Sequence, residues 1–147
     1  MQNNKIIRKA SLDDLNQIYL IEKDVFSNEH WTLEMVESEL KNFLRTTTWI
    51  IEESTVILGY CMMRILCNEA NIINMAIKSS RQREGLGSFL LSHVLNQLPM
   101  NSSVFLEVKE GNLSAINLYQ RLGFKVISLR RNYYKDGRTA LIMHLEH

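Results

Sequence analysis

Two short segments carry the residue types and spacings best suited to chemistry, and the first is a glycine-containing turn. It covers residues 82–88, between an apolar strand and the start of a helix. Gly85 and Gly87 have no side chains that would keep a ligand away from the backbone. Unpaired N–H groups and the positive end of the helix dipole favour a phosphate, and Arg81 and Arg83 add charge at the rim. The turn therefore predicts a pyrophosphate site, with a tight corner that binds nothing as the alternative.

Two sharper phosphate-binding motifs are excluded by the residues that follow the glycines. A Walker loop requires Lys and then Ser or Thr after its last glycine, whereas Ser88 and Phe89 follow here. A dinucleotide-binding fingerprint requires a third glycine, but that position is Leu90. The remaining pattern is Gln-x-x-Gly-x-Gly, which begins at Gln82 and ends at Gly87.

The second segment is an apolar strand, residues 104–108, which is interrupted by Glu107. Strand alternation places Glu107 on the same face as Phe105 and Lys109. A carboxylate at the C-terminal end of a parallel strand is well placed to act as a general base. A solvated carboxylate paired with Lys109 fits the same pattern, so spacing alone leaves both interpretations open.

Four other residues have both a structural and a functional interpretation. Tyr119 lies on the predicted buried stripe of the last helix, where a core tyrosine is the simpler interpretation. Asn112 precedes that helix and is predicted to be its N-cap. Tyr133 and Tyr134 follow the sequence Arg-Arg-Asn and form a basic, aromatic cluster, either a solvated surface or the lining of a peptide groove.

No residue spacing predicts a metal site or a covalent nucleophile. His30 and His93 have no partner at metal-ligand spacing, and no Ser/His/Asp or Cys/His arrangement is recognisable. Cys61 and Cys67 lie six residues apart in an apolar segment, so they would be roughly 20 Å apart in an extended strand, too far for a disulfide. Both are predicted to be buried free thiols.

Hydrophobic periodicity predicts the element order β-α-α-β-β-β-α-β-α-β-β. Ser11 and Thr32 are expected to start the two consecutive N-terminal helices, and the first helix is expected to bury a stripe that includes Leu12. The helix after the glycine turn, residues 86–98, connects two strands that should be parallel. The pattern predicts an α/β domain on a mixed sheet.

Composition indicates one ordered globular domain. The chain has 147 residues, 46% of them hydrophobic, and a single proline. Lys and Arg (17) nearly balance Asp and Glu (16), so no charge excess directs the chain to nucleic acid or membrane. No apolar run approaches the roughly 20 residues of a membrane span, and residues 1–5 lack a signal-peptide core. A cytoplasmic location is expected, with a single domain over residues 1–144 and residues 145–147 as a candidate expression-tag remnant.

Three segments in the second half of the chain form a recognisable set. They are, in order, Asn74-Met75-Ala76-Ile77 followed by residues 82–87; Leu106-Glu107-Val108 followed by Asn112-x-x-Ala115-x-x-Leu118-Tyr119-x-x-x-Gly123-Phe124; and residues 130–134 followed by Asp136-Gly137-Arg138. Together they resemble the bacterial ribosomal-protein-alanine N-acetyltransferase family within the GNAT (Gcn5-related N-acetyltransferase) superfamily. The first half matches weakly: the family's Pro-Trp is His30-Trp31 here, and Ser79 replaces a frequent proline.

The resemblance implies a fold and a cofactor. The fold is a GNAT-type mixed, largely antiparallel sheet of about seven strands flanked by four helices, with two central parallel strands splayed to hold acetyl-CoA. The backbone of Met75, Ala76 and Ile77 would bind the acetyl and pantetheine arm, and Asn112 would also touch the cofactor. The residues expected to surround the pyrophosphate are Arg83, Glu84, Gly85, Leu86, Gly87 and Ser88.

The resemblance also implies roles for the candidate catalytic and acceptor-binding residues. Glu107 would be the general base and Tyr119 the general acid, without a metal. Trp31, Tyr133 and Tyr134 would line the acceptor groove. The expected partner is a protein N-terminus, with no direct binding of nucleic acid or membrane, and a monomer is favoured.

The predicted function is acetyl-CoA-dependent acetylation of a protein α-amine, on an alanine-initiated ribosomal protein, by direct transfer in a ternary complex. An α-amine has a pKa of about 7.7–8 and a lysine about 10.4, so a carboxylate can deprotonate the former near neutral pH. One alternative is a GNAT enzyme that acts on a lysine side chain or a small amine. The other is a non-catalytic acyl-CoA-binding or ribosome-associated module.

Overall fold

The computed structural model describes residues 4–147, which form seven strands and four α-helices in the predicted order. Residues 1–3, part of the polar start that predicts no signal peptide, lie outside the described residues. The strands are β1 (Lys5–Lys9), β2 (Thr46–Glu53), β3 (Val56–Leu66), β4 (Glu69–Ile77), β5 (Ser103–Lys109), β6 (Lys125–Arg130) and β7 (Ala140–Glu146). The helices are α1 (Leu15–Phe26), α2 (Leu33–Lys41), α3 (Leu86–Asn96) and α4 (Leu113–Arg121).

The seven strands form one mixed sheet in the order β1-β2-β3-β4-β5-β7-β6. Neighbouring strands are antiparallel except for β4 and β5, which are parallel. Parallel neighbours cannot be joined by a tight turn, and α3 makes the connection between these two strands. The predicted sheet, largely antiparallel with a parallel pair at its centre, is confirmed.

Each face of the sheet carries its own apolar core and its own pair of helices. We call these the α3/α4 face and the α1/α2 face. The core of the α3/α4 face includes Leu90, Leu91, Val94, Val104, Leu106, Tyr119 and Phe124. The core of the α1/α2 face includes Ile18, Ile21, Val36, Ile50 and Tyr60. Strand alternation produces the division, since neighbouring residues of β3 such as Tyr60 and Cys61 belong to different cores.

The start of α1 is fixed by a buried carboxylate. Asp14 is 6% exposed; it accepts hydrogen bonds from the Ser11 N–H at 2.8 Å and from both terminal nitrogens of Arg8 at 2.9 Å. Arg8 lowers the pKa of the Asp14 carboxyl by hydrogen bonding to its charged form. Ser11 precedes a short 3-10 turn, Leu12–Asp14, which leads directly into the helix. The predicted cap of α2 is confirmed, because the Thr32 hydroxyl accepts the N–H of Met35 at 3.2 Å.

Two predictions about burial are wrong. Cys67 is exposed, whereas Cys61 is buried as expected. β3 ends at Leu66, and Cys67 begins the turn into β4 with φ at +55°. Leu12 is also exposed, at 45%. It lies in the 3-10 turn, and the helical phase that orients the buried stripe begins only at Leu15.

The C-terminal residues belong to the sheet. β7 continues to Glu146, so Leu145 and Glu146, set aside above as a candidate tag remnant, pair with Val104 and Ser103 of β5. Leu145 also packs against the core of the α3/α4 face.

None of the helices formed by residues 4–147 is both long and apolar enough to cross a membrane. Within the same residues, no group of three or more His, Cys, Asp or Glu side chains is arranged to hold a metal ion.

Candidate active site

The two central parallel strands separate after a short paired stretch. β4 and β5 pair over four residues each, ending at Ile72 and Leu106. β4 then continues to Ile77 and β5 to Lys109, and these extensions do not pair with each other in the described chain. The register between β3 and β4 shifts at Ile73, which adds a residue to β4 where the separation begins. The predicted splay of the central strands is confirmed.

The β4 residues predicted to bind the acetyl arm lie along this open edge. Met75, Ala76 and Ile77 pair with residues 59–61 of β3 on one side. On the other side they extend past the last residue that pairs with β5. Backbone groups on that side are therefore available for strand-like hydrogen bonds with an extended ligand that contains amides.

The predicted phosphate turn has a backbone suited to that role. Arg83 and Gly85 have φ values of +66° and +80°, and Gly85 is the N-cap of α3. A Cβ on Gly85 would meet no atom within 4 Å, so the space in front of the helix is open. The Phe89 N–H donates to the Gly85 carbonyl at 3.0 Å. The N–H groups of residues 86–88 precede that bond and point out of the N-terminus of α3.

The two arginines of this turn are in different electrostatic states. Arg81 Nε lies 2.8 Å from Glu84 Oε2, and Arg81 Nη1 lies 3.0 Å from Glu53 Oε1. Arg81 lowers the pKa of the Glu84 carboxyl and offsets its negative charge within the phosphate turn. Arg83 is exposed and forms no ion pair with any residue in the range 4–147. The charge of Arg83 is therefore uncompensated within these residues, whereas the charge of Arg81 is balanced by its two glutamate partners.

Gly87 packs against a neighbouring helix, and contact of its backbone with a cofactor stays a prediction. A Cβ there would lie 3.1 Å from Leu118 Cδ2 and 3.8 Å from Ile77 Cγ1. Both atoms belong to partly buried side chains that pack against the core of the α3/α4 face. The glycine therefore lets α3 and α4 pack closely, and Gly85 is the glycine that borders the open space.

Glu107 lies on β5 immediately after the last residue that pairs with β4. The predicted alternation is confirmed, because Leu106 and Val108 are buried and Glu107 is exposed on the α1/α2 face. Its carboxylate is 3.5 Å from Arg130 Nη1, with 34% of the side chain exposed. Hydrogen bonding to Glu107 raises the pKa of the Tyr133 phenol. Water and an acceptor can both reach this carboxylate.

Tyr119 is on α4 and is 8% exposed, within the core of the α3/α4 face. Its ring contacts Phe124 edge-on, with the ring centroids 5.8 Å apart. Burial raises the pKa of its phenol, and Cys61, the β3 partner of Met75, adds to the shift. The hydroxyl thus keeps its proton at neutral pH. The two predicted catalytic side chains, Glu107 and Tyr119, lie on opposite faces of the sheet.

Asn112 is the N-cap of α4, as predicted. Its side-chain oxygen accepts the N–H of Ala115 at 3.3 Å. The residue is exposed, so its amide remains accessible from solvent. Contact with a cofactor stays a prediction.

The residues predicted to bind the acceptor come from two loops on the α1/α2 face. Trp31 is partly buried between the 3-10 turn Ser27–Glu29 and α2. Tyr133 and Tyr134 lie in the β6–β7 loop, where their rings are nearly perpendicular with centroids 5.1 Å apart. The Arg130 guanidinium is 5.7 Å from the Tyr133 ring centroid, which confirms a basic, aromatic cluster. A shallow groove beside α2 is lined by Trp31, Glu34, Met35, Ser38, Glu39, Arg64 and Ile73.

Lys109 connects the two acceptor loops. Its Nζ lies 3.1 Å from Glu29 Oε1 and 2.6 Å from Asp136 Oδ2, and 5.2 Å from the Tyr134 ring centroid. Glu29 precedes Trp31 in the first loop, and Asp136 follows Tyr134 in the second. The alternative in which Lys109 pairs with Glu107 is therefore not what the structure shows.

Sequence interpretation missed Glu22 of α1. Its side chain is buried, at 1% exposure, and it accepts hydrogen bonds from three different elements. A signal was present in the sequence, since Glu22 belongs to the apolar series Ile18, Ile21, Val25 at helical spacing. A charged residue on such a stripe is uncommon and requires partners inside the fold.

Comparison with known proteins places the chain in a family. The profile of the acetyltransferase (GNAT) family matches residues 12–124, more than half of the chain. A ribosomal protein bS18-alanine N-acetyltransferase of Escherichia coli (strain K12) is 40% identical over 92 residues. That match covers 59% of this chain and 62% of the relative. A Bacillus subtilis (strain 168) protein, provisionally given the same name, is 31% identical over 146 residues, covering 97% of this chain and 96% of its own.

The fold comparison agrees with the sequence comparison. The crystal structure of the ribosomal-protein-S18-alanine N-acetyltransferase from Escherichia coli matches with a TM-score of 0.88 and 30% sequence identity. The match covers 97% of this chain and 93% of that chain. The predicted resemblance and the predicted GNAT fold are both confirmed: the chain belongs to the acetyltransferase (GNAT) family.

Proposed function

We propose that the chain forms a single N-acetyltransferase domain, with Leu145 and Glu146 as part of its sheet, and that it transfers an acetyl group from acetyl-CoA to the α-amine of a protein. The observation that carries the proposal is the placement of Glu107 and Tyr119. Glu107 follows the last β5 residue that pairs with β4, on the α1/α2 face. Tyr119 lies on the α3/α4 face near Cys61, the β3 partner of Met75. Transfer of an acetyl group between two substrates needs a base on the acceptor side and an acid on the donor side.

The residues of the donor side fit acetyl-CoA. The open edge of β4 offers backbone groups to the amides of the pantetheine arm, at Met75, Ala76 and Ile77. The start of α3 offers backbone N–H groups and free space at Gly85 for the pyrophosphate. Arg83 contributes an uncompensated charge beside it. Acetyl-CoA supplies an activated acyl group, the thioester.

Glu107 accounts for the first proton transfer. An amine attacks a thioester only in its neutral form, and an α-amine has a pKa of about 7.7–8. The carboxylate accepts the amine proton directly or through one water as the new C–N bond forms. Its partial exposure on the acceptor face allows either route.

Tyr119 accounts for the second proton transfer. When the C–S bond breaks, the leaving sulfur carries negative charge and needs a proton. A tyrosine phenol is protonated at neutral pH, and burial keeps Tyr119 in that form, so a proton is available for the sulfur. The acetyl group passes directly to the amine, and no covalent intermediate with the protein is required.

The acceptor proposed for this site is an alanine-initiated ribosomal protein. Support comes from the names of the two relatives, from the aromatic side chains of Tyr133 and Tyr134 beside Glu107, and from Trp31 in the other acceptor loop. The cytoplasm as location and a monomeric state remain predictions.

The test is CoA release from acetyl-CoA with two lysine-containing peptides of the same sequence. One begins with a free N-terminal alanine, and the other is blocked at its α-amine. Turnover with the free peptide alone supports α-amine acetylation, and residue-one scanning then tests the preference for alanine. Equal turnover with both peptides contradicts it and points to lysine. Tight acetyl-CoA binding without turnover on either peptide directs the search to small amines or a binding role.

A further inference from the structure

We propose that Glu22 is a positioning residue for the acceptor, one that fixes the Trp31 loop to β4 beside the site of transfer. The inference rests on the proposed function, because it assigns Trp31 to the acceptor side of that site. Glu22 itself is too deeply buried to touch a substrate.

The carboxylate of Glu22 is the meeting point of three elements. Oε1 accepts a hydrogen bond from the Tyr60 hydroxyl of β3 at 2.5 Å. The same oxygen accepts a hydrogen bond from the side-chain amide of Asn74 on β4. Oε2 accepts the backbone N–H of Trp31 at 2.9 Å. One side chain of α1 thus binds a central strand, its neighbour and the loop that follows the helix.

The partners of Glu22 within residues 4–147 are all neutral. No Lys, Arg or His forms an ion pair with it in this part of the chain. Asp14, the buried acidic residue immediately before α1, is by contrast paired with the guanidinium of Arg8. Burying a carboxylate without a cation is costly unless several donors satisfy it. An apolar residue would fill this position at lower cost, so the role of Glu22 is to hold its three donors.

The three donors are placed around the proposed site. Tyr60 pairs with Ala76, in the centre of the segment proposed to hold the acetyl arm. Asn74 lies just after Ile72, where pairing of β4 with β5 ends. Trp31 belongs to the wall of the acceptor region. A change in the position of Glu22 would therefore move the acceptor wall relative to the acetyl-binding strand.

Other contacts of this loop are closer to solvent. Glu29 pairs with Lys109, and both side chains are more than a quarter exposed. His30 packs edge-on against Tyr19, with ring centroids 5.9 Å apart. Contacts of this kind are weak because water competes for them. Glu22 provides the buried hydrogen bond to the loop, in addition to the packing of the partly buried Trp31 side chain against the core of the α1/α2 face.

The main test is Glu22→Gln, which preserves shape but offers one acceptor oxygen in place of two. The amide cannot accept from all three donors, and its NH2 must face one of them. A lost hydrogen bond to a charged group predicts an acceptor KM about tenfold higher, with the acetyl-CoA Kd changed less than about twofold. Asp14→Asn is the matched control: it weakens another buried carboxylate of the same region and should leave both constants unchanged.

A second readout needs no acceptor. The chain contains two tryptophans, so Trp49→Phe leaves Trp31 as the single indole. In that background, Glu22→Gln should shift Trp31 emission to longer wavelength and increase its quenching by acrylamide, whereas Asp14→Asn should not. Tyr60→Phe removes a single donor and should change both readouts in the same direction by a smaller amount. If Glu22→Gln does not fold, Tyr60→Phe becomes the test in its place.

Unchanged Trp31 fluorescence overturns the inference, whatever the peptide assay gives. The inference is also overturned if Trp31 fluorescence changes in Glu22→Gln but the acceptor KM stays constant. A rise of both the acceptor KM and the acetyl-CoA Kd would overturn it as well. The kinetic arm uses whichever acceptor the unaltered protein turns over. If the free-alanine peptide is not turned over, that result counts against the proposed function only. The fluorescence measurement then decides the role of Glu22.

Discussion

The proposed donor and acceptor sides of the site lie beside the same gap in the sheet but are built from different kinds of contact. On the donor side, the candidate groups are backbone N–H and C=O groups of β4 and α3, held by a dense apolar core. On the acceptor side they are side chains: Trp31, Glu107, Tyr133 and the ion pairs of Lys109. Backbone contacts depend weakly on which side chains are present, whereas side-chain contacts change with single substitutions.

The difference between backbone and side-chain contacts corresponds to two tasks, binding of the donor and selection of the acceptor. A single invariant donor, such as the acetyl-CoA proposed here, can be bound by a rigid arrangement of backbone groups. An acceptor must be distinguished from other amines, and a wall of exchangeable side chains provides that selection. The comparison predicts that substitutions on the two sides alter different kinetic constants, and each test below uses that separation.

The largest effect is expected for Glu107→Gln. Removing the base should lower kcat about a thousandfold, within the usual contribution of a general base. The acetyl-CoA Kd should stay unchanged, because Glu107 lies on the acceptor face. Steady-state kinetics and calorimetric titration measure the two constants. Glu69→Gln, at the far end of β4, is the control and should retain full activity. An equally large loss of kcat in this control would contradict the assignment of Glu107 as the base.

Tyr119→Phe should have the second-largest effect. Loss of the acid should lower kcat about a hundredfold. Stability should change little, since the Tyr119 hydroxyl has no hydrogen-bond partner within residues 4–147. Tyr133→Phe, on the acceptor side, should instead raise the peptide KM and preserve kcat. If the two variants gave the same kinetic pattern, the assignment of an acid to the donor side would be wrong.

Gly85→Ala and Gly137→Ala introduce the same kind of backbone strain, the first on the proposed donor side and the second on the proposed acceptor side. Both glycines have positive φ values, +80° and +83°, so each substitution should lower stability by about 1 kcal/mol. Gly85→Ala should also raise the acetyl-CoA Kd roughly fivefold, because a methyl group enters the open space before α3. Gly137→Ala, in the β6–β7 loop, should change the peptide KM alone. Thermal unfolding and binding titrations check both, and a shared effect on acetyl-CoA would contradict the comparison.

The smallest effect is expected for Lys109→Met. Its pairs with Glu29 and Asp136 are partly exposed, so the peptide KM should rise only about threefold, with the difference shrinking at high salt. The acetyl-CoA Kd should be unaffected. Lys41→Met removes an i,i+4 pair with Glu37 on α2 and serves as the control. A salt-independent effect of Lys109→Met would indicate a packing role in place of the ion pairs.

Local spacing was sufficient for much of the fold. The element order, the parallel pair and the alternation at Glu107 all follow from periodicities of two and 3.6 residues. The cap at Asn112 and the turn at Gly85 follow from residue chemistry within a few positions. These features depend on neighbours in the sequence, which the sequence displays directly.

Partners that are distant in the sequence could not be predicted in the same way. Lys109 pairs with Glu29, 80 residues away, and the nearby Glu107 pairs with Arg130. Glu22 acquires its role only when two strands and a loop converge on it. Many carboxylates in the chain could satisfy a given cation, and only the packed fold selects one. Sequence motifs therefore located the candidate site, and the fold determined how its charges are compensated.

The close approach of Gly87 to Leu118 has a consequence for how this chain can diverge. A Cβ at position 87 would lie 3.1 Å from Leu118 Cδ2, the end of a flexible side chain, so Gly87→Ala requires that side chain to shift by a few tenths of an ångström. After Leu118→Ala, the same substitution fills the space that the shorter side chain leaves. Because the two positions are in contact, the effects of substituting them are expected to be non-additive. Replacement of this glycine is therefore expected to be better tolerated in chains that carry a smaller residue on the neighbouring helix.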